Sequence, residues 1–348
     1  MNPFTSASLL FGLLLGTTIT TTSTHWLIAW MGLEINTLAI IPLMAQQHHP
    51  RAIEATTKYF LTQAAAAATL LLAATTNAWM TGQWELQQTT HPIPTTMITI
   101  ALALKIGLAP LHTWLPEVMQ GLSLTTGLIL ATWQKIAPFS LLLQVQPNNQ
   151  TLLILLAILS MLVGGWGGLN QTQVRKILAY SSIAHLGWMI IILQFSPTLA
   201  VMTLALYIIM TSSTFLAFMM NKTTTIGALT ISWAKTPIIT SLMPLILLSL
   251  GGLPPLTGFM PKWLILQELT KQGLGVTATL AALSALLSLY FYLRLSYAMT
   301  LTIAPNNLTG TLPWRTQTNK KTLPTAILMA SSILLLPLTP EVLMLFNT

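Results

Sequence analysis

Three ionisable side chains lie inside long apolar segments of this sequence, where a charged group is costly. Glu34 follows Trp-Met-Gly-Leu, Lys105 stands between Ala-Leu-Ala-Leu and Ile-Gly-Leu, and Lys135 lies in Trp-Gln-Lys-Ile-Ala-Pro. A charge near the centre of a bilayer costs at least ~2.5–3.5 kcal/mol, so such a residue usually faces the protein interior and usually has a function. Burial favours the neutral form of a lysine or a carboxyl group, and a nearby opposite charge favours the charged form. The pattern therefore predicts proton exchange among these groups, and the alternative is a buried ion pair that only fixes helix register.

Two related ten-residue segments accompany these residues. Residues 107–116 read Gly-Leu-Ala-Pro-Leu-His-Thr-Trp-Leu-Pro and residues 252–261 read Gly-Leu-Pro-Pro-Leu-Thr-Gly-Phe-Met-Pro, with five of ten positions identical. Each segment places glycine and proline where an apolar helix would otherwise continue, and proline both removes a backbone donor and clashes with the preceding turn. Broken backbone at membrane depth persists only where protein or a water-filled cavity surrounds it. A repeated broken helix therefore indicates a transport pathway.

Three further residues are candidates for the same chemistry. Lys262 follows the second segment at the position that Glu117 holds after the first, so it is either the end of a second proton path or an ordinary lysine at the membrane surface. His112 lies within the first segment and His185 lies in the middle of another apolar stretch. Imidazole suits proton relay because it titrates near neutral pH, although a membrane histidine is often only hydrogen-bonded to a neighbouring helix.

Composition indicates that these residues belong to a membrane protein. Only 6% of the 348 residues are charged, against about 25% in an ordinary soluble domain. The mean hydropathy is +0.72 and 53% of the residues are hydrophobic, so lipid must cover much of the surface. The absence of cysteine excludes disulfides, thiolate metal sites and iron–sulfur ligation. The net charge of +8 is scattered rather than clustered, which argues against nucleic acid as a partner.

Hydropathy predicts an all-α polytopic protein with about eleven transmembrane helices. The predicted spans are 3–22, 25–45, 59–79, 95–115, 122–144, 150–170, 177–195, 199–219, 238–258, 275–298 and 324–345. The two broken segments fall in the fourth and ninth spans, and an offset of five spans reverses the direction of insertion. The chain (1–348) is thus expected to be a single transmembrane domain of two inverted five-helix repeats, about 3–144 and 150–298, followed by a C-terminal helix.

The basic residues beside the spans predict a sidedness. Those assigned to one set of loops are Arg51, Lys58, Arg175, Lys222, Lys235, Arg315, Lys320 and Lys321, against only Lys262 and Lys271 on the other side. The first set should face the compartment of synthesis. With eleven spans, the N-terminus and the 301–323 loop lie on that side and the C-terminus lies opposite. The N-terminal segment lacks the basic region of a signal peptide and the arginines of a transit peptide, which fits synthesis inside an organelle or a bacterium.

Two stretches resemble signatures of the antiporter-like family of proton-conducting membrane subunits. Residues 104–117 carry a lysine followed by Pro-Leu-His-x-Trp-Leu-Pro and an acid, and residues 173–188 carry a basic pair before Leu-Ala-Tyr-Ser. The resemblance implies a proton-pumping membrane-arm subunit of respiratory NADH:ubiquinone oxidoreductase. The family's essential acid falls on Glu34, its broken-helix lysine on Lys105, its linking lysine on Lys135 and its exit-side lysine on Lys262.

The resemblance also implies a cellular setting. The partners would be other membrane-arm subunits and membrane lipids, and NADH, flavin, iron–sulfur clusters and ubiquinone would be bound by other subunits, with none bound by this chain. The location would be the mitochondrial inner membrane, with the N-terminus in the matrix and the C-terminus in the intermembrane space. Two alternatives are an independent cation/proton antiporter and a non-pumping structural subunit whose charges serve packing alone.

Overall fold

The computed structural model describes residues 2–46, 49–89, 91–147, 149–234, 236–302 and 322–339, together with Glu341 and Met344. These residues are almost entirely helical, as predicted, and the described ranges contain no strand beyond two isolated bridges. The helices are α1 Pro3–Thr22, α2 Trp26–Met44, α3 Pro50–Thr81, α4 Pro92–Ile106, α5 Trp114–Gly121, α6 Leu124–Ala131, α7 Trp133–Val145, α8 Gln150–Gly168, α9 Val174–Ile192, α10 Pro197–Asn221, α11 Ile226–Thr230, α12 Pro237–Gly251, α13 Phe259–Lys271, α14 Gly275–Thr300 and α15 Thr322–Leu334.

The chain divides into two compact units, and the boundary falls within α8. Unit 1 is Met1–Ala157 and unit 2 is Ile158–Thr348. In unit 1, α3 packs against α2, α4 and α5, and α7 packs against α1 and α4. In unit 2, α10 and α14 each pack against α12 and α13. Each unit therefore surrounds one broken helix, α4–α5 in the first and α12–α13 in the second.

Helix starts and stops follow from local residue chemistry. Proline occupies the first position of α3, α4, α10 and α12, where its missing N–H has no helical partner to lose. The ring nitrogens of His25 and His49 accept hydrogen bonds from the backbone N–H two residues later and so cap α2 and α3. Gly82 ends α3 in a left-handed conformation at φ 72°.

The predicted spans agree with the structure in position but differ at the breaks. Seven described helices (α1, α2, α3, α6–α7 taken together, α8, α10 and α14) are long and apolar enough to cross a membrane. Shorter apolar helices at Pro92–Ile106, Pro237–Gly251 and Leu323–Leu334 correspond to the fourth, ninth and last predicted spans. The predicted fourth and ninth spans continue to residues 115 and 258, but the observed helices stop at Ile106 and Gly251 and resume as α5 and α13. Their Gly-Pro segments therefore interrupt the helices rather than bend them.

The assignment of basic residues to loops is partly wrong. Arg51 and Lys58 lie in the first turns of α3, because the helix begins nine residues before the predicted start at 59. Arg175 lies in the first turn of α9, and Lys262 lies in α13 rather than at a span end. Lys235 and residues 303–321, which include three of the predicted loop cations, fall outside the described residues.

Candidate functional site

The first helix break lies directly after Lys105. Helix α4 ends at Ile106, and Gly107 adopts φ 88°, a left-handed conformation that glycine tolerates. The N–H groups of Gly107 and Leu108 both donate to the Ala103 carbonyl at 2.9 Å, which closes the helix end. Pro110 follows after a cis peptide bond and has no N–H to continue the ladder.

Side chains satisfy the backbone carbonyls that this break exposes. The indole Nε1 of Trp114, from the first turn of α5, donates to the Leu104 carbonyl at 3.1 Å. The amide Nε2 of Gln63, from α3, donates to the Lys105 carbonyl at 3.4 Å. Because unpaired carbonyls in a membrane interior are costly, these neutral donors stabilise the interrupted end of α4.

A small cavity, here called the unit 1 cavity, is lined by both Lys105 and Lys135. Its volume is about 20 Å³, room for about one water molecule. Residues lining it include Asn36, Tyr59, Gln63, Lys105, Trp114, Gln134 and Lys135. In the part of the chain that the structure describes, neither the Lys105 Nζ nor the Asn36 side-chain amide has a hydrogen-bond partner. A water molecule in the cavity would therefore be near these two unpaired polar side chains.

Lys105 lies within electrostatic reach of Glu34. Its side chain is only 7% exposed, and the half-buried Glu34 carboxylate exerts an attractive electrostatic effect on it. The Glu34 Oε2 atom accepts a hydrogen bond from the Thr37 hydroxyl at 3.0 Å, and Thr37 lines the unit 1 cavity. One side of the cavity thus has a buried cation and a carboxylate nearby.

Lys135 enters the same cavity from α7. Its side chain is 2% exposed, and it lies in the first turn after an interruption of the helix at Thr132, whose carbonyl accepts a hydrogen bond from the Lys135 N–H at 3.3 Å. Pro138, inside α7, removes a further backbone donor beside the cavity. The predicted fifth span is therefore two helices, α6 and α7, rather than one.

The second break repeats the backbone of the first with a different donor. Helix α12 ends at Gly251, Gly252 adopts φ 78°, and the Pro254–Pro255 peptide bond is cis at the position matching Ala109–Pro110. Here the ammonium of Lys262 donates at 2.6 Å to the buried Gly251 carbonyl, which the break leaves without a helical partner. A Cβ atom on Gly252 would lie 2.9 Å from the Lys262 Nζ, so glycine also makes room for this lysine.

A second small cavity, the unit 2 cavity, adjoins this break. Its volume is about 20 Å³, and His185, Tyr207 and Lys262 contribute to its lining. The rings of His185 and Tyr207 are 5.6 Å apart between centroids. Lys262 therefore faces the interior of unit 2, which argues against the alternative of an ordinary lysine at the membrane surface.

The structure groups the predicted residues by unit. Lys105 and Lys135 line the unit 1 cavity, and His185 and Lys262 line the unit 2 cavity. Glu34 is outside the lining of the unit 1 cavity but exerts an electrostatic effect on Lys105. His112 lies in the loop after the first break, where its Nδ1 is 3.2 Å from the Pro110 carbonyl oxygen, and it is outside the lining of the unit 1 cavity.

Sequence reasoning missed several polar residues at or near these breaks. Tyr59, Gln63 and Gln134 line the unit 1 cavity, and Gln63 is recognisable in retrospect as an amide at the start of an alanine-rich apolar run. Arg294 lies within a predicted span, and its guanidinium donates to the Leu169 carbonyl beyond the end of α8 at 2.7 Å. Among the described residues, no group of three or more His, Cys, Asp or Glu side chains could hold a metal ion.

Comparisons with known proteins give a consistent result over the whole chain. Residues 23–288 match the family described as NADH:quinone oxidoreductase/Mrp antiporter, TM, and residues 289–343 match NADH dehydrogenase subunit 2 C-terminus. The NADH-ubiquinone oxidoreductase chain 2 of Tetraodon nigroviridis is 81% identical over 347 residues, covering 100% of both chains.

Solved structures share the fold. A chain of respiratory complex I from Thermus thermophilus is 29% identical with a TM-score of 0.82, covering 97% of this chain and 80% of that one. A chain of the Mrp complex from Dietzia sp. is 16% identical with a TM-score of 0.80, covering 97% and 76%, which shows a common fold alone.

Proposed function

This chain belongs to the NADH:quinone oxidoreductase/Mrp antiporter family of membrane proteins, and on that premise we propose that it moves protons through the two cavities described above. It is a homologue of NADH-ubiquinone oxidoreductase chain 2 and a multi-pass membrane subunit of that enzyme. The electron-transfer chemistry belongs to other subunits in this proposal, and the protons pass through Glu34, Lys105 and Lys135 in unit 1 and through His185 and Lys262 in unit 2.

The observation that carries the proposal is the environment of the Lys105 ammonium. It is buried, it has no hydrogen-bond partner within the described chain, and it faces a cavity of water size that Lys135 also lines. A lysine kept for packing alone is expected to be hydrogen-bonded, because an unsatisfied buried charge destabilises the fold. Lys105 is instead placed where a water molecule could deliver or remove a proton.

The electrostatic effect of Glu34 on Lys105 couples the charge of the carboxylate to the protonation of the lysine. A negative Glu34 stabilises the protonated form of Lys105, and neutralising or moving that charge favours release of the proton. Lys135, at the same cavity, can accept it through one water molecule. Because the carbonyls at the break are held by Trp114 and Gln63, the helix end keeps its geometry while the proton moves.

The wider setting forms part of the same proposal. In this proposal the segments of about 3–144 and 150–298 are inverted repeats, the basic residues of α3 face the mitochondrial matrix together with the N-terminus, and the C-terminus faces the intermembrane space. The chain lies in the inner membrane among other membrane-arm subunits and lipids, with NADH, flavin, iron–sulfur clusters and ubiquinone bound elsewhere in the complex. His112 belongs to the relay only if a water chain reaches the loop that carries it.

The test is proton pumping measured apart from electron transfer. Lys105→Met in the assembled complex, reconstituted in vesicles, should block pumping through this subunit and slow coupled turnover, while oxidation of NADH by an artificial acceptor stays normal. Lys105→Arg should be nearly as damaging because arginine does not release its proton. Lys271→Met is the matched control. Lys271 lies in the last turn of α13, as Lys105 lies in the last turn of α4, but the Lys271 side chain is 62% exposed. Normal pumping by both Lys105 variants would remove the residue from the proton path.

A further inference from the structure

A polar groove opens on the surface of unit 1 beside the first break. It has a volume of about 400 Å³ and is lined by Arg51, Glu54, Lys58, Glu117 and Gln120, among others. Lys58 and Glu117 are 43% and 55% exposed, so the groove opens at the surface of this chain. These residues come from the first turns of α3 and from α5, the two helices that also carry part of the wall of the unit 1 cavity.

An ion pair at the groove joins the two helices. The Lys58 Nζ lies 2.8 Å from the Glu117 Oε2 and 2.8 Å from the Glu54 Oε1. Exposed pairs of this kind contribute about 0–1 kcal/mol to stability, so stabilisation is a weak reason for three charges here. The α3–α5 contact is already close without them, because a Cβ atom on Gly121 would lie 2.5 Å from the Arg51 carbonyl oxygen.

The groove leads towards the unit 1 cavity along both helices. On α3, the groove residues 51–58 are followed by Tyr59 and Gln63 of the cavity wall. On α5, Glu117 is preceded one turn earlier by Trp114, which lines the cavity too. In the cavity wall, the rings of Tyr59 and Trp114 meet edge to face with centroids 5.8 Å apart, and both side chains are buried.

We propose that this groove is the aqueous access to the unit 1 cavity, with Glu117 as its first proton-accepting group and the Tyr59–Trp114 contact as its barrier. The inference rests on the proposed function and adds the route by which protons reach it. A hydronium ion in the groove gives its proton to the Glu117 carboxylate and becomes water. The resulting carboxylic acid passes that proton, through water admitted when the two rings part, to the neutral amine of Lys105. Glu117 is left as a carboxylate, and Lys105 becomes an ammonium.

Lys58 is the hydrogen-bond partner of this acceptor. Its ammonium donates to the Glu117 Oε2 atom at 2.8 Å, and both residues line the groove. In unit 2, the position that matches Glu117 holds Lys262, which lines the unit 2 cavity itself. An acid therefore follows the break in unit 1 but not in unit 2. This difference is expected if the acid has a role other than forming the backbone geometry that the two breaks share.

The proposal predicts different effects on pumping for substitutions of Glu117 and of Lys58, the two partners of one ion pair. In the reconstituted complex, Glu117→Gln should lower the pumping rate roughly tenfold, because a carboxylate at a mouth raises the local proton concentration and uptake rate. Lowering the pH on the side of the membrane that the groove faces should restore the pumping rate of this variant. Lys58→Met breaks the same ion pair but leaves the acceptor in place, so its pumping should stay within about twofold of the parent. Glu268→Gln, which removes an acid paired with Lys271 in unit 2, is the control for loss of an ion pair.

The outcomes distinguish this inference from the function on which it rests. Equal losses in Glu117→Gln and Lys58→Met, with no recovery at low pH, would mean that the pair only joins α3 to α5. Unchanged pumping in Glu117→Gln, when Lys105→Met blocks it, would place the access elsewhere and leave the proposed function intact. Unchanged pumping in Lys105→Met would overturn the proposed function itself.

Discussion

Replacing Lys262 by methionine should destabilise the neighbouring helix end, whereas replacing Lys105 by methionine should not, although both changes should impair proton movement. Lys262 donates from Nζ to the Gly251 carbonyl at 2.6 Å, whereas the Lys105 Nζ has no hydrogen-bond partner in the described chain. Methionine has a similar length and is apolar, so Lys262→Met leaves a buried carbonyl without its donor. Lys105→Met leaves no such group behind.

The hydrogen bonds give the expected magnitudes. Leaving a buried acceptor unsatisfied costs about 1–3 kcal/mol, so Lys262→Met should destabilise the end of α12 by that amount. Lys105→Met removes a buried polar group that is itself unsatisfied, a gain of about 1–3 kcal/mol that is offset by the lost attraction to Glu34. The expected result is that α4 becomes as stable as before or more stable.

Hydrogen exchange in the assembled complex, read by mass spectrometry, measures both effects locally. Exchange in peptides covering the end of α12 should be about 5- to 150-fold faster in Lys262→Met, the equivalent of about 1–3 kcal/mol. Peptides covering the end of α4 should exchange at the parent rate or more slowly in Lys105→Met. Lys271→Met should leave both regions unchanged, because that side chain is largely exposed.

Two results would refute this reasoning. Unchanged exchange near Gly251 in Lys262→Met would mean that the lysine does not stabilise the break. Faster exchange near Gly107 in Lys105→Met would mean that its ammonium is a structural group despite having no partner, and would weaken the main support for its role in the relay.

Two further variants test other parts of the site. Glu34→Gln should reduce pumping strongly in reconstituted vesicles while the complex still assembles, because the amide cannot change charge beside Lys105, and normal pumping would make the pair structural. Gly107→Ala should destabilise the break by more than the roughly 1–2 kcal/mol expected for alanine in a left-handed conformation, because its Cβ would lie 2.9 Å from a Leu115 side-chain atom. Gly82→Ala should cost only that roughly 1–2 kcal/mol of backbone strain, because no atom lies within 4 Å of its Cβ position. Hydrogen exchange of α4 and α3 compares the two glycine variants, and equal effects would contradict the packing argument.

The sequence predicts the breaks better than it predicts what lies around them. Proline at 110, 254 and 255 lacks the N–H that a helix needs, and glycine at 107 and 252 readily adopts the left-handed conformation that ends a helix, so residue types alone predict the broken helices. The interruption at Thr132 has no such local signal, because Thr132 follows a strongly apolar run without glycine or proline beside it. It depends on packing, which a single sequence does not encode locally.

The position of Lys262 shows a second limit. A window of about 20 residues suits a complete span, but α13 has 13 residues and begins immediately after the break. Hydropathy therefore placed Lys262 at a span end, where a lysine extends to the surface. Helix α13 instead places the Lys262 side chain against the Gly251 carbonyl, to which its Nζ donates a hydrogen bond. These residues are eleven positions apart, so the contact depends on the turn between them.

The two breaks differ in whether the helix end is stabilised by the same group that we propose to carry the proton. In unit 1, Trp114 and Gln63 hold the exposed carbonyls with neutral donors, so Lys105 can gain or lose its proton without disturbing the end of α4. In unit 2, the Lys262 ammonium itself holds Gly251, and a hydrogen bond from a charged donor is stronger than one from a neutral donor. Removing the Lys262 proton therefore weakens the contact that joins α12 to α13. Protonation is linked to backbone geometry at the second break and separated from it at the first, although both breaks share the same arrangement of glycine and proline.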